Sequence, residues 1–539
     1  MRPLILYRLD IEPMTSLDTP HHVLRNTAMK ASKVGFFLLL TVGIAACGSV
    51  RPKPYTDNEV KARVAQDRTA MYAGQEPLTA PLTFYDASAR ALKYNLDYRL
   101  KLMESALAHS QYDVATWEML PRLVAGAGLA SRNNDSGGES IGIQDRIVSL
   151  RPSTSEERDR DLASLSFSWS VLDFGISYFR AQQKADQALM AEERRRKVAQ
   201  DVLQDVRNAY WRALAAQHLM GDLDNLLGRI RGALDQARTV ESKGLMPRAD
   251  ALAYQRALLD AVDLLTQRRQ DLELSQAELT ALISLPPGTR LQLAQMPEEA
   301  MPPMPTDIDA LETLALTHRP EIMEEWYRKR VTASDIKQAK MLLWPNVSLN
   351  AGTEYDSNKY LYNNHWADAG LQVSWNLLKL LQLPSLNRTA KAQTEADDMR
   401  RMALSMAVLT QVRVGVQRYG LALQELKFAD ESRDVDSRLL DYTRAATQTS
   451  YGSQLEMIRV EARSLLSRYQ REAAYSNAQA AWGRLYNSFG LDVLPAQIEN
   501  GDVKTVAAEI EKTMTQYRQT ALGTPVPVAM VSEKSDAVR

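Results

Sequence analysis

Residues 164–172 read SLSFSWSVL, so Leu165, Phe167, Trp169 and Val171 alternate with Ser164, Ser166, Ser168 and Ser170. A period of two belongs to an extended strand, here with one apolar face and one small, polar face. The pattern returns at 370–377, GLQVSWNL, where Leu371, Val373, Trp375 and Leu377 alternate with Gly370, Gln372, Ser374 and Asn376. The tryptophans (375 − 169) and the leucines (371 − 165) are both 206 positions apart, which marks an internal repeat.

The spacing of 206 continues downstream, where Asp250 meets Glu456, Ile283 meets Phe489 and Leu285 meets Leu491. Upstream it is 224: Ala91 meets Ala315, Asp97 meets Glu321, Pro121 meets Pro345 and Leu123 meets Val347. The difference of 18 (224 − 206) falls in a polar segment between two strands, 131–161 in the first copy and 356–366 in the second. Length variation confined there predicts an exposed loop.

Within the first copy, apolar residues at threes and fours from Ala87 to Leu107 predict a helix over 82–118, stopped by Leu120 and Pro121. A strand is expected over 123–130 and another over 164–172. Asp173, Phe174 and Gly175 then hand the chain to a helix over 176–242, rich in alanine, leucine, glutamine and arginine. Lys243, Gly244, Leu245, Met246 and Pro247 predict a tight reversal, and a return helix follows over 248–283. A helix of about 67 residues is about 100 Å long, as are two helices of about 36 residues laid end to end. Each copy is therefore expected to set one continuous helix beside two stacked ones.

Lys30 and Lys33 precede an apolar run, 34–46, that ends in Ile44, Ala45 and Ala46 before Cys47, the only cysteine. Basic, apolar and small residues in that order read as a secretory signal, too short for a permanent span. The segment resembles a bacterial lipoprotein signal, which implies lipidation of Cys47; burial as a small apolar residue is the bland alternative. Gly48, rather than aspartate, after the cysteine implies outer-membrane sorting. Residues 1–28, with Asp10, Glu12 and Asp18, do not fit a signal, and Met29 is the expected start. Residues 47–81 carry prolines at 52, 54, 77 and 81 and are expected to form an extended tether.

A net charge of −1 and a mean hydropathy of −0.33 argue against a nucleic-acid partner and against an internal membrane helix. Any crossing falls to the strands. Four strands cannot close a barrel, for which about eight is the practical minimum, so a membrane-spanning sheet would need other chains. A soluble antiparallel sheet with one buried face gives the same alternation, and both readings stand at this point. No enzyme is expected: His21, His22, His109, His218, His318 and His365 show no metal-ligand spacing, and AGAGL at 125–129 lacks the context of a phosphate loop. No cofactor or metal is expected either. A lipid-anchored periplasmic coiled-coil scaffold without a pore remains the alternative function.

Over 82–491, in both copies, the chain resembles the TolC-like outer membrane factors, in particular the lipoprotein branch serving tripartite efflux systems. The carriers are Leu120–Pro121 and Trp344–Pro345 before the first strand of each copy; Leu172, Asp173, Phe174 and Gly175 after the second; Val206, Arg207, Ala209 and Tyr210 on the long helix; and Gly244, Leu245 and Asp250 at the hairpin. The resemblance implies a mainly α fold with a small β part: two repeats of long antiparallel helices and two strands each, trimerising into a 12-stranded outer-membrane β-barrel continued by a periplasmic α-helical barrel. It implies an exit duct for a tripartite efflux or type I secretion system, fed by a periplasmic adaptor and, through it, an inner-membrane transporter. Most of the chain would stand in the periplasm of a Gram-negative bacterium.

On that reading Ser164, Ser166, Ser168, Ser170, Gln372 and Ser374 face the lumen, and Leu165, Phe167, Trp169, Leu371, Val373 and Trp375 face lipid. Adaptor docking falls to Lys243, Gly244, Leu245 and Met246 and to Tyr451, Gly452 and Ser453, although a turn needs such residues without any partner. Asp250 and Glu456 become gate candidates at the periplasmic mouth. Their plain alternative is a carboxylate in a first helical turn, favoured by the helix dipole. Arg459, three residues after Glu456, is placed to pair with it and dilute an acidic ring. Copy two departs from copy one with Lys379, Leu380 and Leu381 opposite Asp173, Phe174 and Gly175, and with Ser450 opposite Gly244. The expected organisation is 1–46 extension and signal, 47–81 lipidated tether, 82–300 first repeat, 301–500 second repeat, and 501–539 an equatorial helix with a disordered tail.

Overall fold

The computed structural model describes residues 52–148, 151–295, 300–448, 454–491, 493–494, 498 and 501–519. Cys47, Tyr451, Gly452 and Ser453 lie outside them, as do the signal and the tail. Two compact units divide at Ala70 and Met71.

The first unit contains helix α1 (Asp57–Ala70), exposed throughout. This corrects the expectation of an extended tether. Thr56 and Glu59 form a reciprocal cap: the Glu59 N–H donates to Thr56 Oγ1 (3.3 Å) and the Thr56 N–H to Glu59 Oε2 (2.8 Å). Two orphan donors are thereby satisfied, and good helix formers follow.

The second unit holds α2 (Phe84–Tyr94), α3 (Leu96–Trp117), β1 (Arg122–Ser131), β2 (Gly137–Gly138), β3 (Ser153–Thr154), β4 (Asp159–Ser170), α4 (Val171–Ser242) and α5 (Arg248–Leu282). The second repeat supplies α6 (Ile308–His318), α7 (Pro320–Met341), β5 (Asn346–Asp356), β6 (His365–Ser374), a 3₁₀ helix (Leu377–Gln382), α8 (Leu383–Gln448) and α9 (Gln454–Phe489). Helix α10 (Val503–Gln519) follows. Adding 224 to the bounds of α2 and α3 gives those of α6 and α7, and adding 206 to Ser242 and Arg248 gives Gln448 and Gln454.

Five expectations are corrected. The helix over 82–118 is broken at Asn95, whose φ and ψ are −61° and 125° and whose Oδ1 accepts from the Asp97 (3.0 Å) and Tyr98 (3.2 Å) N–H groups. Arg319 makes the equivalent break before Pro320, where the proline ring disfavours the helical conformation of its predecessor. The opening strand runs from Asp159 to Ser170, not from 164 to 172. Ser170 is the N-cap of α4, its Oγ accepting from the Asp173 N–H at 3.0 Å. Val171 and Leu172 are thus helical, and so are Asp173, Phe174 and Gly175, which do not form a connector. The polar loop contains the small β2–β3 ribbon. In copy two the strand ends at Ser374; Trp375 lies beyond it, its Nε1–H donating to the Leu343 carbonyl (2.9 Å), and Leu377 opens the 3₁₀ helix.

Helix α4 packs against α3 and α5 within its own repeat and against α7 and α9 of the other; α8 packs against α7 and α9. Phe84, Val206, Ala209, Tyr210 and Trp211 lie in one apolar cluster with Leu279, Val506 and Ile510. Residues that carried the resemblance on the long helix are therefore packing residues. Each large apolar side chain buried there stabilises the fold by about 1.5–3 kcal/mol. Arg207 is also buried, its guanidinium 4.8 Å from the Phe84 ring centroid, and burial pushes it down to about 10. A second cluster around Tyr419, Trp482 and Phe489 serves α6, α8 and α9.

Candidate functional site

The strands form one antiparallel sheet in the order β1–β4–β5–β6. Its register pairs Ala125 with Leu165, Leu165 with Thr353, and Thr353 with Ala367, so odd-numbered residues share one face and even-numbered residues the other. The odd face carries Leu123, Leu165, Phe167, Trp169, Leu349, Leu371 and Val373. On the even face, Ser164, Ser166, Ser168 and Ser170 stand in line with Ser348, Asn350, Gly352 and Gln372 through the same ladders. Ser374 opposes Asn346 there, whereas Trp375 is off the sheet.

Neither face is covered. Leu123, Leu129, Leu371 and Val373 on the apolar face are 66%, 87%, 70% and 63% exposed. Outer strands β1 and β6 each have one unpaired edge among the described residues. At Gly126 an added Cβ would lie 2.7 Å from Ser164 Oγ, so the serine hydroxyl would have to turn away. The even face also carries charges the sequence reading missed: Arg122, Arg160, Glu354, Asp356 and Asp368. Their even numbers were the available signal. Arg160 pairs with Asp356 at 3.1 Å near one end of the sheet.

At the other end of α4, the turn is a Schellman motif. The Gly244 N–H donates to the Glu241 carbonyl (3.0 Å) and the Leu245 N–H to the Val240 carbonyl (3.1 Å), with Gly244 at φ +63°. Leu245 and Met246 are exposed at the tip, and Pro247 caps α5. Asp250 lies exposed in the first turn of α5 and makes no ion pair among the described residues. Glu456 sits in the first turn of α9, its Oε2 3.9 Å from Arg459 Nη1, with both side chains more than half exposed.

The family model described as outer membrane efflux protein matches residues 88–284. The alkaline protease secretion protein AprF of Pseudomonas aeruginosa is 23% identical over 401 residues, covering 70% of this chain and 79% of AprF. Over residues 88–284 the chain is similar to the outer membrane efflux protein family. The CmeC outer membrane channel of Campylobacter jejuni superimposes with a TM-score of 0.58 at 12% identity, covering 86% of this chain and 98% of CmeC. For the MtrE outer membrane channel of Neisseria gonorrhoeae the TM-score is 0.57 at 14% identity, covering 76% and 88%. These structural likenesses establish the fold, mainly helical with a small sheet. The family is one of outer-membrane channels rather than enzymes. Among the described residues no helix is long and apolar enough to cross a membrane.

Proposed function

We propose that the protein is the outer-membrane exit duct of a tripartite efflux or type I secretion system. The observation that carries this reading is the sheet with two exposed faces and two unpaired edges. A soluble sheet of this pattern would bury leucine, phenylalanine and tryptophan under a core; here that face is bare. Lipid is the solvent that suits it, and every backbone group in lipid needs a partner, so the edges must close. Three chains of four strands give twelve, an even number, and strands of 10 to 12 residues match the span of a tilted membrane strand.

On this reading the even face lines a water-filled lumen and Cys47 carries the lipid that helps hold the chain at the outer membrane. The signal peptide that ends at Ala46 is removed, 47–81 tether, 82–300 and 301–500 are the repeats, and 501–539 supply the belt helix and tail. The tips at 243–246 and 451–453 meet a periplasmic adaptor that couples to an inner-membrane transporter, while Asp250 and Glu456, the latter balanced by Arg459, stand at the mouth. The name of AprF favours secretion and the family description favours efflux; both use the same duct.

Single cysteines test the wall. In the intact protein in outer membranes, Ser166→Cys and Ser168→Cys are expected to react with a polar, membrane-impermeant thiol reagent, and Leu165→Cys and Phe167→Cys to resist it. Equal labelling of both pairs would refute a lipid-facing odd face.

A further inference from the structure

Four arginines are buried among the described residues, and three of them lie near a carboxylate. Arg319 pairs with Glu321 (3.1 Å) and Arg471 with Asp430 (2.9 Å). Arg90 donates to the Glu76 carbonyl oxygen (2.8 Å) and is held by the charges of Glu76 and Asp86. Arg207 is the exception. Its one hydrogen bond among the described residues runs from Nη2 to the Met514 sulfur (3.3 Å), a weak acceptor. The ionisable groups that act on it are Arg518, which opposes its charge, and the phenols of Tyr85, Tyr475 and Tyr486; none is a carboxylate. Burial lowers Arg207 only to about 10, so it stays charged at neutral pH. The Phe84 ring, 4.8 Å from the guanidinium, recovers only part of what a cation loses on leaving water.

Arg207 lines a cavity of about 30 Å³ between α4, α9 and α10. On the α9 side, a Cβ added to Gly483 would lie 2.7 Å from Arg207 Nε and 2.8 Å from its Cδ, so this glycine makes the room that the side chain occupies. On the α4 side, Gln204 Oε1 is buried without a hydrogen-bond partner. The α10 side is closed by Met514, Tyr517 and Arg518. The space suits one or two particles the size of a water molecule, and is far below the roughly 300 Å³ at which sites for drug-sized molecules begin. Transported cargo is therefore too large for it.

We propose that this cavity binds a small inorganic anion of chloride size, held by the Arg207 guanidinium, which pins α10 against α4 and α9. The anion takes up guanidinium N–H groups that the Met514 sulfur leaves free, in charge-assisted hydrogen bonds. A water beside it donates one proton to the anion and the other to Gln204 Oε1, so the buried acceptor and the anion do not oppose each other directly. Helix α10 is then held by charge as well as by the apolar packing of Val506 and Ile510.

Thermal melts of the full-length protein in detergent, in sodium chloride and in sodium gluconate of equal ionic strength, test the site. Gluconate is too large to enter. The melting temperature is expected to be higher in chloride by on the order of a few degrees, with a rise that saturates as chloride increases. Arg207→Met should lose that increment, and in gluconate it should melt no lower than the parent because it buries no unanswered charge. Equal melting of the parent in the two salts, or an undiminished increment in Arg207→Met, overturns the proposal. Crystals of the unaltered protein grown in bromide need no variant. An anomalous peak beside the Arg207 guanidinium is expected, and water density without anomalous signal overturns the site. A bromide peak in a protein whose melting ignores chloride marks an adventitious ion only, and overturns it as well.

Discussion

Leu165 is the seventh of the twelve residues of β4, so on the channel reading it sits near the middle of the membrane on the lipid side. Its cross-strand neighbours, Ala125 and Thr353, are small and supply no counter-charge. Leu165→Arg should therefore cost about 2–4 kcal/mol per chain, the usual penalty for arginine at the midplane of a barrel's outer face. That is roughly a 30- to 700-fold change in the folding equilibrium constant. Ser166→Arg, one residue along, points to the other face, where Val124 and Gly352 oppose it and Asp368 lies across the next ladder. It should cost at most about 0.5 kcal/mol. Urea titration of the protein refolded into lipid vesicles, followed by heat-modifiable gel migration, measures both. Equal loss from the two arginines, or greater loss from Ser166→Arg, would refute the assignment of faces.

Arg330→Ala strands the fully buried Asp186 side chain, and because Arg330 itself is more than half exposed the expected loss in a thermal melt is about 1–2 kcal/mol at neutral pH. Burial already raises the Asp186 carboxyl, against the pull of Arg330, so the folded chain holds that proton more tightly than the unfolded one. The deficit should shrink as pH falls through the range where the raised carboxyl protonates, and a deficit that grows toward acid would contradict the reasoning. Gly490→Ala adds a Cβ 2.6 Å from the Arg319 nitrogen at φ +73° and should destabilise by about 2–3 kcal/mol, whereas Ser284→Gly, at the equivalent turn with φ +57°, should stay within about 1 kcal/mol of the parent, on the stabilising side. Chemical denaturation compares the two. Glu456→Lys removes only an exposed 3.9 Å pair, so stability should move by less than about 0.5 kcal/mol while single-channel conductance in planar bilayers rises; unchanged conductance would count against a gate there.

Much of the fold was legible because periodicity and repetition are properties of the chain itself. Alternation at 164–170 could only be a strand, and the offsets 206 and 224 returned in the bounds of α6, α7 and α9. The glycine and proline of the first tip gave its turn, now seen as a Schellman motif closed by Gly244. Element ends were less legible, since they depend on side-chain caps. Ser170, read as the last polar position of an alternating strand, accepts from the Asp173 N–H and starts a helix; Asn95 splits one expected helix into two; and Thr56 with Glu59 folds part of a presumed tether. A serine's hydroxyl serves a strand face and a helix start equally well in the sequence.

What the sequence alone determined was local and periodic: strand, helix, reversal, and the fact that everything occurs twice. Only the tertiary structure decided that β4 pairs with β5 across the two copies, which lines up the even positions of all four strands and gathers Glu354, Asp368 and the serines on one face. It alone decided that the apolar face is left bare, and that Ile458 and Leu465 of the second repeat join the leucines of α4 in one apolar cluster. Pairing between strands almost two hundred residues apart depends on the loops and helices that bring them together, and no window of sequence contains both partners.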